Sequence, residues 1–246
     1  MESAKKTLVT AIKTVAQRQQ LLMANLTGNA FLGFLLYAWR TMNGGLFGNL
    51  SDTVFVLFFV GGLAVWLNAA TLAAFHPGVT TTPFMPVLRR LPRVLPWVLA
   101  IIGVALLFRW IATVVHPLAW VVGVGCLLVL LPLTSQAAGG GFPRSAAIDV
   151  VFNGRYWLLS AGLLALGIYL PLLLISELGV PGNLLFRLFL GCVRMAVFSF
   201  CAVGGWVTLA AITGLLGAEA AEQQELKAIS TDAMIPGKHE PAGAGR

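Results

Sequence analysis

Six long apolar stretches, separated by short polar or basic segments, dominate the pattern of hydrophobic and polar positions along the chain. They cover about 21–39, 53–75, 94–114, 118–133, 156–175 and 195–216. A helix needs about 20 residues to cross the hydrocarbon core of a bilayer, and these runs lack the alternation of barrel strands. Only a break at His116 and Pro117 separates the third stretch from the fourth, which indicates a tight hairpin. The pattern predicts an all-α, polytopic transmembrane helical bundle with about six spans.

The segments that flank this 21–216 transmembrane domain are more polar. In residues 1–20, lysines and glutamines separate apolar residues that recur at helical spacing and continue into the first span, namely Leu8, Ile12, Val15 and Leu22. This spacing predicts an amphipathic helix on the cytoplasmic membrane surface. In residues 217–246, we expect the last helix to continue to about Ile229 and a disordered tail to follow. Residues 183–194 have two interpretations, an interfacial helix or an overlong start of the sixth span.

The composition supports a membrane environment. Of the 246 residues, 58% are hydrophobic and only 10% are charged. Soluble domains carry about 25% charged residues. With so few charges the chain cannot cover its surface with water-facing groups, so its exterior must face lipid.

The basic residues predict the orientation. Most of them flank the six stretches on one side of the bundle: Lys5, Lys6, Lys13, Arg18, Arg89, Arg90, Arg93, Arg144, Arg155, Lys227, Lys238 and Arg246. Four remain for the other side: Arg40, Arg109, Arg187 and Arg194. The positive-inside rule then places both termini in the cytoplasm and the chain in the plasma (inner) membrane as a multi-pass protein. Because the basic residues are scattered, nucleic acid is not an expected partner.

No pattern in the sequence predicts catalysis, a metal or a cofactor. Hydrolase and phosphate-loop motifs are missing, and all acids lie outside the apolar stretches, which disfavours a cation-coupled carrier. His76 and His116 fall at opposite ends of the bundle, so we expect interfacial or solvated histidines rather than shared metal ligands. We interpret the three cysteines as small hydrophobic residues without a disulfide; they are Cys126, Cys192 and Cys201. We expect no enzyme activity.

Two sets of residues are candidates for binding, and each has two interpretations. The first set, Arg109, Arg187 and Arg194, falls at the outer boundary. These arginines either extend their charged groups to the interface, which we favour, or bind an anion or a lipid phosphate. The second set, Asn25, Asn29 and Asn68, lies within spans. These residues either pack helix against helix, again the favoured interpretation, or line a polar path.

The topology as a whole resembles the general plan of exporter-type permeases of ATP-binding-cassette systems. Six spans, cytoplasmic ends and an amphipathic helix before the first span carry the resemblance, and no family motif does. It implies a non-catalytic, permease-like transport component whose segment 76–93 docks an ATPase subunit. The alternative is a structural or accessory scaffold subunit of a membrane complex. A lipid-modifying enzyme ranks third, because Arg89, Arg90, Asp149 and Arg155 only partly furnish a site. Membrane lipids are partners in every case.

Overall fold

The structure is a computed structural model that describes residues 2–42, 50–80, 83–114, 119–169, 171, 173 and 184–233. Almost all of these residues are helical, and none of them lies in a strand. The helices are α1 Glu2–Gln17, α2 Gln19–Met42, α3 Leu50–Ala74, α4 Phe84–Val114, α5 Ala119–Gly139, α6 Arg144–Val151, α7 Gly154–Leu164 with a π-helical turn at Ala165–Tyr169, and α8 Leu184–Ala233. The predicted all-α class is therefore confirmed for the described part of the chain.

Several helices expose apolar surface instead of burying it. Three stretches are long and apolar enough to cross a membrane by length and composition: Phe84–Val114, Val121–Gly139 and Ala196–Ser230, with mean hydropathies of 2.2, 1.9 and 1.8. In the most apolar part of Phe84–Val114, only 6% of the residues are buried inside the protein. The bent pair α6–α7 gives a fourth candidate, and Phe58–Ala74 is a shorter apolar helix. Exposed apolar helices of this length fit a lipid environment, where each helix satisfies its own backbone groups.

Two helices are longer than the hydropathy pattern predicts. Helix α4 begins at Phe84 rather than near Val94, although Pro92 and Pro96 lie within it. The arginines that the sequence places between two spans therefore lie on a helix. Helix α8 runs for 50 residues without a break, so residues 184–194 begin this helix and do not form a separate one. The same helix continues past Ile229 to Ala233, and the predicted tail from 234 lies outside the described residues.

The predicted fifth span is divided in the structure. Helix α7 has 11 residues, and the π-helical turn follows it directly. Helix α6 precedes it at an angle of 67°. The Asn153 side chain caps α7 by accepting a hydrogen bond of 3.0 Å from the Arg155 backbone N–H, which fixes the start of the helix. Residues 174–183, which include the end of the predicted span, lie outside the described part, as does the break at His116 and Pro117.

Helix α8 is the central element of the packing, because it contacts α1, α2, α3, α5, α6, α7 and the π-helical turn. Close approach depends on its glycines. A Cβ atom on Gly214 would lie 2.5 Å from the backbone oxygen of Phe75 at the end of α3. A Cβ on Gly217 would lie 2.5 Å from the ring of Phe142, and one on Gly167 of the π-helical turn 3.1 Å from the Cys201 oxygen. Small residues let membrane helices pack backbone to backbone in this way.

The N-terminal helix α1 packs on the rest of the protein through one row of residues. Its buried residues are Ala4, Thr7, Ala11 and Val15. These small side chains let α1 contact α8 and α7 closely. Of the predicted apolar face, Val15 is among these buried residues, whereas Ile12 is 51% exposed and Leu8 half-buried. The described protein leaves Ile12 and part of Leu8 uncovered, and contact of this face with the membrane surface stays a prediction.

Polar contacts join the two ends of the described chain at one end of the bundle. Arg155 donates to the Ser3 hydroxyl at 2.9 Å and forms a 3.1 Å salt bridge with Glu219. Gln224 donates to Asp149 at 2.7 Å. We call this region the loop end; it comprises α1, the α3–α4 and α5–α6 connections, α6, and α8 from Gly217 onward. The first and last helices thus lie on the same side of the bundle.

The contact at Gly214 predicts a strong dependence of stability on one methyl group. Gly214→Ala should lower the free energy of unfolding by about 1–3 kcal/mol, because the new Cβ overpacks against the Phe75 backbone. Gly204→Ala is the matched control on the same helix, since its Cβ has no heavy atom within 4 Å. Thermal unfolding in detergent measures both variants. Equal midpoints for the two would refute the close contact between α3 and α8.

Candidate functional site

A cavity of about 650 Å³ lies between α2, α3 and α8. It is lined by Leu26, Asn29, Ala30, Gly33, Phe34, Asn68, Phe198, Ser199, Ala202, Val203 and Trp206. Phe34 at its edge is 65% exposed, so the cavity opens on the side of the bundle. We call it the α2–α8 cavity. Most of its wall is apolar with a few polar groups, which is the usual composition of a small-molecule site.

Two of the predicted asparagines meet on this wall. The Asn29 amide donates to the Asn25 backbone oxygen at 2.9 Å, and the Asn68 amide donates to the Ala64 oxygen at 2.8 Å. Each amide group is thus bound to its own helix. Among the described residues, neither side-chain oxygen accepts a hydrogen bond, so both remain acceptors for a ligand.

The third predicted asparagine has a packing role. Asn25 is 0% exposed and donates to the Thr71 hydroxyl at 2.8 Å. It also donates to the Leu21 oxygen at 3.0 Å, while the Thr71 hydroxyl donates to the Leu67 oxygen at 2.8 Å. This buried pair joins α2 to α3, as interhelical polar pairs in membranes do. The structure therefore separates Asn25 from Asn29 and Asn68, which the sequence had grouped together.

Sequence reasoning missed Trp206, which lines three cavities. These are the α2–α8 cavity, a second cavity of about 350 Å³ between α3, α4 and α5, and a third of about 90 Å³ between α7, the π-helical turn and α8. Its indole Nε1 is buried and has no hydrogen-bond partner within the described part of the chain. A buried N–H group without an acceptor costs about 1–3 kcal/mol. A tryptophan in the middle of a span, away from the interface where this residue is enriched, was the available sequence signal.

The predicted arginine set is only partly described. Arg109 is exposed near the end of α4, and Arg194 is half-buried on α8. Arg187 lies on α8, but its side chain is outside those described. Helices α4 and α8 are not among the main packing pairs of the described residues. A shared anion site for these three arginines therefore stays a prediction.

At the loop end, the His76 side chain links the end of α3 to the α5–α6 connection through hydrogen bonds and ring stacking. His76 follows the end of α3 and is only 3% exposed. The sequence predicted an interfacial or solvated histidine, but the side chain is buried. The Gly141 backbone N–H donates to Nδ1 at 3.0 Å, and Nε2 lies 3.0 Å from the Ser135 hydroxyl. The ring stacks on Phe142 at 4.4 Å. A Cβ on Gly139 or Gly141 would collide with the ring, so glycine is needed here for close approach.

The His76–Ser135 pair has the wrong proton arrangement for a nucleophilic dyad. Because Nδ1 accepts from a backbone N–H, the proton of the neutral ring is on Nε2, and Nε2 donates to the serine. A general base needs an unprotonated Nε2 that accepts the serine proton. Ser135 is also fully buried. This pair is therefore structural.

Burial lowers the pKa of His76 to about 4, and the nearby positive charge of Arg90 acts in the same direction. Protonation would also place a hydrogen on Nδ1, where the Gly141 N–H now points. Both effects keep the ring neutral at physiological pH.

Two arginines fix helix ends beside His76. Arg18 donates to the Ala74 oxygen at the end of α3 and, at 2.6 Å, to the Val79 oxygen. Arg90 donates to the oxygens of Ala138 and Gly139 at the end of α5. Cations at helix C-termini satisfy the last carbonyl groups and offset the negative end of the helix dipole.

The described histidines, cysteines and acids do not assemble into a group of three or more that could hold a metal ion. Cys126 and Cys201 are half-buried free thiols on α5 and α8.

Comparisons with protein-family models, curated proteins and solved structures find no match. The fold and the cavity define the class of the protein as a helical bundle with helices suited to a membrane and a laterally open internal cavity.

The low pKa of His76 predicts acid sensitivity of the loop end. In the unfolded chain His76 has a pKa near 6.5, so the unfolded state binds more protons between pH 6.5 and 4. Stability from this group is full above pH 6.5 and falls by about 3 kcal/mol as the pH drops to 4. Thermal unfolding of wild type and His76→Gln across this range measures the effect. The variant should show a shallower loss of midpoint, and identical pH profiles would contradict the assignment.

Proposed function

We propose that the chain is a multi-pass protein of the plasma membrane with about six spans and both termini in the cytoplasm. Two observations support this topology. Twelve of the 16 basic residues fall on one side of a six-span arrangement, and the positive-inside rule assigns that side to the cytoplasm. The first and last described helices meet at the loop end, as an even number of crossings requires.

Within this topology, the chain acts as a non-catalytic transport component. The observation that carries the proposal is the convergence of Asn29 and Asn68 on a laterally open, mostly apolar cavity between three helices. Polar side chains at membrane depth are costly, and they commonly mark substrate paths. The cavity wall offers hydrogen-bonding groups without a formal charge.

The lining suggests the chemistry of the ligand. The two asparagine oxygens accept hydrogen bonds, and the Ser199 hydroxyl can donate or accept. None of the described residues that line the wall is acidic or basic. The site therefore suits an uncharged, amphipathic molecule with a hydroxyl or amide group, and not a cation.

The alternative is a scaffold subunit, and the same cavity gives it support. Because the cavity opens sideways at Phe34, an apolar side chain from a neighbouring membrane subunit has access to it. An ATPase or other partner subunit would contact the loop end in either case. The two functions differ in what occupies the cavity.

Photo-cross-linking in living cells distinguishes the two functions. A photoreactive phenylalanine analogue replaces Phe198, which lines the cavity, or Phe200, which is exposed on the same helix and does not line it. The transport proposal predicts a small-molecule adduct at position 198 that is missing at 200. Asn29→Leu should lower its yield about fivefold, because one hydrogen bond is worth about 1 kcal/mol.

A protein adduct specific to position 198 would favour the scaffold alternative. Bulk phospholipid adducts in equal proportion at both positions would contradict a ligand site in the α2–α8 cavity.

A further inference from the structure

A further pocket, separate from the cavities described above, lies at the loop end where α4, α5 and α6 meet. Its volume is about 290 Å³. It is lined by Arg90, Arg93, Trp97, Gln136, Ala137, Gly140 and Arg144. We call it the arginine pocket. Its residues come from positions 90 to 144, so only the fold brings them together.

No acidic side chain among the described residues that line this pocket neutralises its charge. Three guanidinium groups line it and no carboxylate does. The one salt bridge within the described residues joins Arg155 to Glu219 instead. The nearby acid of α6, Asp149, accepts a hydrogen bond from Gln224. Three like charges around one small volume repel each other, and a bound anion removes that repulsion.

Neighbouring groups hold two of the three guanidinium groups in place, those of Arg90 and Arg144. Arg90 is bound to the oxygens of Ala138 and Gly139, and it lies against Gly140, whose φ of +63° turns the chain at the end of α5. The Arg144 guanidinium lies over the Trp97 ring, 5.5 Å from its centroid. Stacking of this kind fixes a guanidinium plane while leaving its N–H edge free to bind. Arg93 is exposed one turn before Trp97.

Arginines fixed in this way are suited to an anion with several oxygens. Guanidinium groups donate two parallel hydrogen bonds to phosphate, and the Gln136 amide can add another. Arg144 is also the first residue of α6, so the positive end of that helix dipole lies at the rim.

The geometry points to a site for a phosphate-type oxyanion, with the headgroup of an anionic membrane lipid as the favoured source. The reason is the position of the pocket beside exposed apolar helix. Ala100, Gly103 and Leu107 follow Trp97 at intervals of three and four residues along α4, which places them in one stripe. Ala100 is half-buried and the other two are exposed. A lipid whose phosphate group binds in the pocket can therefore place its acyl chains against this stripe of α4, whereas a free anion would make no contact with the stripe.

Binding to the purified full-length chain in neutral detergent tests the site by native mass spectrometry. The probes are phosphatidylglycerol and phosphatidylcholine, and inorganic phosphate is added as a competitor. Arg93→Gln removes one pocket arginine. Arg89→Gln is the matched control, because Arg89 is exposed on the same helix, carries the same charge and does not line the pocket.

We expect one phosphatidylglycerol to bind wild type more tightly than phosphatidylcholine does. Arg93→Gln should weaken that binding about tenfold, the usual loss for one charge-assisted contact, while Arg89→Gln changes it little. Arg93→Lys should restore part of the affinity, since lysine keeps the charge but not the paired donors. If inorganic phosphate at millimolar concentration displaces phosphatidylglycerol, the pocket also binds the free anion. If phosphate does not displace the lipid, the pocket is a site for the lipid. Equal effects of Arg93→Gln and Arg89→Gln, or no lipid preference in wild type, would overturn the assignment.

Discussion

The structure depends on one constraint, namely that the outer surface of its long helices is apolar, which suits solvation by lipid rather than by water. In a bilayer, helices gain little from burying apolar side chains against each other, because the acyl chains are equally apolar. Association then relies on close backbone packing and on interhelical hydrogen bonds. Both are present here, in the glycines of α8 against α3 and the α5–α6 connection, and in the Asn25–Thr71 pair.

The polar half of the architecture is concentrated at the loop end. There Arg18 and Arg90 bind the carboxyl ends of α3 and α5. His76, which follows α3, bonds to Ser135 on α5 and to Gly141 in the α5–α6 connection. These contacts join segments far apart in the chain, and they fix Arg90 at the edge of the arginine pocket. The same interactions that order the loop end therefore also shape its basic surface. The α2–α8 cavity, by contrast, lies among helices with few polar contacts, which leaves its polar groups open to a ligand.

Hydropathy alone predicted the helical class and the positions of most apolar helices, because a lipid-facing helix must be apolar along its whole length. It missed the start of α4, where prolines and arginines resemble a loop; prolines are tolerated in membrane helices when neighbouring groups satisfy the freed carbonyls. The four-residue spacing of Asn25 and Asn29 placed both on one face of α2, yet only the packing decides that one meets Thr71 and the other a cavity. The buried position of His76 and the arginine pocket depend on contacts between distant segments, which no local pattern encodes.

We propose that lipid surrounds the exposed apolar helices and that the loop end faces the cytoplasm. Single cysteines in a cysteine-free background, labelled with a membrane-impermeant maleimide, test it directly. Leu106→Cys lies on the exposed face of α4, and Ala228→Cys is exposed on the C-terminal part of α8. We predict no labelling of position 106 in intact or opened cells, and labelling of position 228 only after the cells are opened. Rapid labelling of position 106 in opened membranes, or of position 228 in intact cells, would contradict the account.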